Sequence, residues 1–188
     1  MKTTVKSIIL LSVVTSTTAF TDATVKTIDA GSSSIEWKGK KVLGSHTGTI
    51  KIQEGYLTMD GDKLIGGKVV VDMSSINVTD LQGESKEKLE GHLKSDDFFG
   101  IENHPTSVLN IKGSKKTKTG YLVNGTITIK GNTELITFDL EMKENMAIAH
   151  VKLDRTKFNV RFGSGSFFDN LGDNTISDTF ELDVELAF

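Results

Sequence analysis

The chain has 188 residues, a length for one domain, and its 37% hydrophobic and 25% charged residues exclude both a disordered chain and a membrane-embedded bundle. A formal charge of −3 with no basic half leaves nucleic-acid binding without electrostatic support. Eighteen glycines against one proline, and no cysteine, indicate many turns between strands and a core closed without disulfides.

The first stretch, "MKTTVKSIILLSVVTSTTAF", begins with Lys2 and Lys6, runs through Ile8, Ile9, Leu10, Leu11, Val13 and Val14, and ends in small residues at Ala19. A positive start, a short apolar centre and a small-residue exit are the layout of a secretory signal. Residues 1–19 are therefore expected to be a signal peptide and 20–188 the domain, periplasmic or secreted. The apolar run is too short for stable membrane insertion. The alternative reading is a buried N-terminal strand.

Beyond it, period-two alternation dominates. "SIEWKGKKV" places Ile35 and Trp37 on one face; "TGTIKIQEGYLTM" carries Ile50, Ile52, Leu57 and Met59, with a bulge or bend expected at Gly55. "KLIGGKVVVDM" follows an Asp60-Gly61-Asp62 turn, and further strands are expected over 106–112, 121–129, 135–143 and 147–153. In "TFELDVELAF", Phe180, Leu182, Val184, Leu186 and Phe188 face one way while Glu181, Asp183 and Glu185 face the other. One break, around 85–93, has helical spacing through Leu81, Lys88, Leu89 and Leu93. A second, "FGSGSFFDNLGDNT" (162–175), is expected to be a long loop. The count suits an eight-stranded antiparallel sheet; alternation alone does not separate a sandwich from a barrel, nor a packed interior from one that holds a ligand.

Catalytic constellations are weak. Of the four histidines, His46, His92, His104 and His150, none forms an HExxH pair. His92, Asp96, Asp97, Glu102 and His104 fit no recurrent metal spacing, and "DNLGDN" (169–174) lacks the order and closing Glu of a calcium loop. Ser164 in "FGSGSF" is not on a strand-to-helix nucleophile elbow. The stretch "HLKSDDFFGIENHPT" (92–106) is expected to be structural: Ser95 or Asp96 satisfies backbone donors in a turn, Phe98 and Phe99 anchor it, and Pro105 restrains the backbone before the next strand. No catalytic or metal residue is therefore assigned, and no cofactor is required.

Several stretches together carry a resemblance: "VVVDMSSI" (69–76), "LEGHLKSDDFFGIENHPT" (89–106), "VNGTITIKGNTE" (123–134), "LDRTKFNV" (153–160) and "ISDTFELDVEL" (176–186). In content and order they resemble the YceI-like family of bacterial polyisoprenoid-binding proteins. The resemblance departs at Leu89 and Glu90, where relatives often carry Arg-Asp; at Leu109, usually Phe; in "KGNTELITF", which lacks a proline; and at Asn159, commonly Gly. It implies an all-β, extended eight-stranded antiparallel lipocalin-like β-barrel, with a short helical segment covering one end and an elongated apolar cavity.

The resemblance further implies a partner: an apolar isoprenoid lipid, polyprenyl or quinone-like, bound for transport or storage without catalysis. From pattern and resemblance together, the expected ligand contacts are Trp37, Phe98, Phe99, Phe138, Phe158, Phe162, Leu182 and Val184. Two alternatives stand beside this reading: a ligand-free structural or interaction barrel, and, less favoured, a hydrolase using Ser164 or His92. Pairing of two chains into a homodimer through exposed strand edges is left open.

Overall fold

The computed structural model describes residues 23–188. The signal-peptide reading of 1–19 lies outside the described residues. Among the described residues nine strand segments occur: β1 (Thr24–Thr27), β2 (Asp29–Lys41), β3 (Gly44–Asp60), β4 (Lys63–Val78), β5 (Thr106–Lys116), β6 (Gly120–Ile129), β7 (Asn132–Lys143), β8 (Met146–Asp154) and β9 (Ile176–Ala187). One α-helix, α1 (Gly83–Lys94), separates β4 from β5. Every pairing is antiparallel, from β2 through to β9, and β9 returns to β2, so the sheet closes as an eight-stranded barrel. The ninth segment is no extra stave. β1 pairs with the far half of β3, and the Ile28 amide donates to the Gly55 carbonyl at 2.9 Å, so β1 prolongs the rank of β2.

Short turns follow from sequence. Gly61 has φ +57 in the two-residue β3–β4 turn, and Lys130 (φ 49) and Gly131 (φ 73) make the double-positive turn that matches strand twist between β6 and β7. The expected bulge at Gly55 falls elsewhere. Register shifts in β3 lie between Thr49 and Lys51, between Ile52 and Glu54 and between Thr58 and Met59, while a Cβ on Gly55 would meet Ile28 Cδ1 at 2.7 Å. Gly55 admits the Ile28 side chain rather than bending the strand.

The ladder is uneven at one seam. β7 and β8 pair only at Glu141–Ile148, Met142–Ala147 and Lys143–Met146, next to their turn. Farther along, the 3-10 turn Arg155–Phe158 closes the wall: Asn132 Nδ2 donates to the Phe158 carbonyl at 3.2 Å, and Phe158 and Val160 are buried.

Packing divides the interior into two levels. Near the β3–β4 turn, Leu57, Leu64 and Val123 are fully buried, joined by Tyr121, Leu140, Ala147 and Leu186, and the Tyr121 hydroxyl donates to the Asp62 carbonyl. That end is solid. The other end is covered by α1 and by the 162–175 segment, and it is hollow.

Candidate functional site

The hollow end is built from inward-facing residues of five strands, with Ser107 added from β5. Ile35 and Trp37 come from β2, Ile50 from β3, Val71, Met73 and Ile76 from β4, Ile127 and Ile129 from β6, and Phe180 and Leu182 from β9. Their strands face inward at these positions for the reason read in the sequence: successive side chains alternate across a sheet. Leu93 from α1, with Phe98 and Phe99 from the turn after it, forms the ceiling. The void has a volume of about 140 Å³ and opens to solvent at a mouth.

The ceiling is held by backbone bonds. Ser95 ends α1, its hydroxyl donating to the His92 carbonyl at 2.8 Å, and its own carbonyl accepts from the amides of Phe98 (3.0 Å) and Gly100 (2.8 Å). Phe98 and Phe99 meet edge to face at 5.0 Å, and Phe99 reaches Phe180 of β9 at 6.5 Å. His104 packs over Gly131, whose hypothetical Cβ would stand 3.1 Å from its ring, and Lys130 donates to the Asp96 carbonyl at 2.6 Å. The acidic-aromatic stretch is thus the lid of the hollow end, tied to the β6–β7 turn.

Trp37 forms part of the wall. Its indole lies on Gly48, its cross-strand partner, and Nε1 donates to the Thr49 carbonyl at 3.2 Å.

Among the described residues Arg155 is the one charged member of the lining, and only 2% of it is exposed. Its Nε donates to the Ser177 carbonyl (2.9 Å), Nη1 to those of Val160 (2.9 Å) and Phe162 (2.8 Å), and Nη2 to that of Ile176 (3.0 Å). The guanidinium therefore clasps both ends of the 162–175 segment. Asp178 stands 3.5 Å from Nη2 and accepts from the Ser166 hydroxyl at 2.5 Å. Burial pushes the Asp178 carboxyl up, but hydrogen bonds from Ser164 and Ser166 and the nearby guanidinium outweigh it and hold the group below its ordinary value. Burial also draws the Arg155 guanidinium down, opposed by Asp178 and Asp154. Four of the five guanidinium N–H groups are thus spent on carbonyls, and the fifth belongs to Nη2, which also faces Asp178.

Of the residues expected from sequence, Trp37, Phe98, Phe99 and Leu182 line the void. Phe138 and Val184 pack against the core outside the lining, and Phe158 is a buried core residue beneath the 155–158 turn. Phe162 lies at the rim, 46% exposed, its ring 4.3 Å from that of His92. Sequence reasoning passed over Arg155, although it stands in the quoted "LDRTKFNV"; a lone arginine before a turn carries no mark of burial.

Ser164 offers no nucleophile. It is wholly buried, and its hydroxyl accepts from the Ser166 amide at 3.2 Å. Among the described residues, no group of three or more His, Cys, Asp or Glu is placed to hold a metal ion.

Two of the departures noted in the sequence, Asn159 and Glu90, have local explanations. Asn159 adopts φ +60, a left-handed position that asparagine tolerates in place of glycine. Glu90 accepts from the Val78 amide at 2.8 Å and lies 3.6 Å from Lys86, so it fixes α1 to β4 without an arginine.

A closed antiparallel meander of eight staves, solid at one end and hollow and apolar at the other, defines a lipocalin-like barrel. The chain belongs to the YceI-like domain family, which matches residues 27–188. Among solved structures, BcnA of Burkholderia cenocepacia has the same fold at TM-score 0.68 and 18% identity, covering 86% of this chain and 99% of that one. A polyisoprenoid-binding domain from Saccharophagus degradans, implicated in plant cell wall breakdown, superposes at TM-score 0.58 and 13% identity over 85% of this chain and 95% of its own. The YceI protein of Campylobacter jejuni does so at TM-score 0.52 and 16% identity, over 97% of this chain and 90% of its own. No curated protein matches the chain in sequence.

Proposed function

We propose that the chain binds an isoprenoid-type lipid, a polyprenyl or quinone-like molecule, in the hollow half of its barrel, and carries or stores it in the periplasm or outside the cell. One observation carries this reading: the void is walled by aliphatic and aromatic side chains, and Arg155, the one charged lining residue among those described, donates to four backbone carbonyls and faces Asp178. Such a space offers an entering molecule apolar contact and little else, and so favours hydrocarbon over anything that must keep its water. A branched, unsaturated prenyl tail suits a wall of Ile, Leu, Val and Met with Trp37, Phe98, Phe99 and Phe180 around it. The Saccharophagus domain is named for polyisoprenoid binding and shares the fold, which supports the same class of guest here.

Burial contributes about 0.8 kcal/mol per CH₂, so a tail of about forty carbons nominally exceeds the practical affinity ceiling of about 18–21 kcal/mol. Ordering losses and partial exposure must remove much of that gain. The hollow half holds part of a long tail, and its open mouth leaves the remainder outside.

Trp37 is the only tryptophan and lines the void, so it reports on occupancy directly. Titration with a quinone carrying a short prenyl tail should quench and shift its emission to saturation. Ile127→Phe, which adds bulk inside the void, should weaken that binding about tenfold or more; equal binding by both proteins would refute the assignment.

A further inference from the structure

The hollow end carries exposed apolar groups that the cavity does not use. Val42 (59% exposed) and Leu43 (68%) form the tip of the β2–β3 turn, and Phe167 (46%) and Phe168 (50%) stand on the 162–175 segment. These two tips belong to one rim. The Val42 amide donates to the Thr175 carbonyl at 3.1 Å, the Ile176 amide to the Gly163 carbonyl at 2.7 Å, and the amides of Phe167 and Phe168 to the Ser164 carbonyl at 3.1 and 3.0 Å. Lys41 pairs in register with Ile176, and Ile176 and Gly39 both line the void, so the rim is continuous with the wall of the cavity.

The segment bearing the phenylalanines is fixed in place. Arg155 holds the carbonyls at both its ends, Ser166 bonds Asp178, and Ser164 is buried beneath it. A rigid presentation of half-exposed aromatic rings is a standing expense in water, since large exposed apolar groups clustered together are unusual on a monomer's surface.

The charges around the tips have both signs. Lys41 adjoins Val42 and is exposed, and the Arg161 guanidinium lies 4.6 Å over the Phe167 ring. Asp169 and Asp173 are exposed on the same segment. Apolar tips ringed by mixed charge complement a zwitterionic headgroup layer, in which phosphate and ammonium alternate above hydrocarbon.

We propose that this rim is a docking surface for a zwitterionic phospholipid bilayer. Val42, Leu43, Phe167 and Phe168 enter the boundary between headgroups and acyl chains, with Lys41 and Arg161 at the phosphates. The barrel stands with its hollow end against the membrane. This deepens the reading of the cavity as a lipid site, because a guest insoluble in water then passes between bilayer and barrel without crossing solvent. Attachment is reversible and superficial; among the described residues no helix is long and apolar enough to cross a membrane.

The test is flotation with phosphatidylethanolamine–phosphatidylcholine vesicles that contain no isoprenoid. It uses the protein as isolated from cells, with its N-terminus mapped, so that wild type and variants differ only at the rim. Wild type should float, and Phe167→Ser with Phe168→Ser should lower the bound fraction about tenfold or more. Leu135→Ser, a control at an 88% exposed residue on β7, should leave flotation unchanged. The double variant should still show the Trp37 response to a soluble prenyl quinone, which separates docking from holding a guest. Wild type that floats yet never binds such a quinone upholds docking and removes the carrier reading. Failure of wild type to float, or equal flotation by the double variant, overturns the proposal. So does a wild-type dimer that the double variant splits while neither protein binds vesicles, since the rim would then be a surface for a second copy.

Discussion

The indole of Trp37 lies against Gly48, its cross-strand neighbour, so closely that a Cβ at position 48 would overlap both the ring and the Asn77 carbonyl. One residue without a side chain thus sets the depth of the cavity wall. Gly48→Ala should displace the ring into the void, shift the emission of this sole tryptophan, and destabilise the fold by about 1–3 kcal/mol through overpacking. Fluorescence spectra with urea unfolding curves check both effects. An unmoved spectrum would show that the wall yields elsewhere.

Arg155 concerns the lid rather than the wall. Its four carbonyl partners flank the 162–175 segment, and removing it takes a side-chain donor from all four, in one buried and three half-buried bonds. Arg155→Ala should therefore lower stability by about 3–5 kcal/mol and open the segment to limited proteolysis. Arg155→Lys restores the charge but not the planar fork, and should recover only part of the loss.

Asp178 gives a pH dependence with a definite sign. Its folded value is depressed, so the stability it contributes is complete above the unfolded value of about 3.9 and is lost as pH falls through the folded value. Asp178→Asn should be less stable than wild type at neutral pH, and the gap should narrow below about pH 4. Asp29, Asp62, Asp80 and Glu181 are also held low, so both proteins unfold in acid, but these contributions cancel in the difference. Urea midpoints between pH 7 and pH 3 measure it; a constant gap contradicts the role given to Asp178.

The β7–β8 seam predicts uneven protection. Amides of Asn132–Leu140 that point away from β6 have no partner on β8, whereas β9 is paired on both sides over Phe180–Glu185. Hydrogen exchange should therefore be faster along the outer edge of β7 than along that central part of β9. Equal protection would mean that the seam closes in solution.

Much of this architecture was legible in the sequence, for identifiable reasons. The alternation of Phe180, Leu182 and Val184 against Glu181, Asp183 and Glu185 fixes which face of β9 is inward. The helix expected around 85–93 occupies 83–94, because Gly83 starts it at φ +56 and Ser95 ends it. Period two states which side faces in, but not at what level along the barrel. Leu57, Leu64 and Val123 alternate as cleanly as Ile35, Val71 and Ile127, yet the first three are packed solid and the others line a void. That distinction arises when the sheet closes, from pairings between distant strands. Phe158 and Phe162 illustrate the same limit. Four residues apart, one is buried and the other half-exposed, because the chain turns around Arg155 between them. The closure that hides Arg155 joins residues about twenty positions apart, and no local pattern records it.

The central claim is that hydrocarbon completes the hollow half of the barrel. Native mass spectrometry of gently purified protein, followed by solvent extraction, measures this most directly. The account predicts a discrete added mass that extraction releases as a prenyl-bearing lipid. A single bare mass, with nothing prenyl in the extract even after growth and isolation in the presence of such lipids, would contradict it.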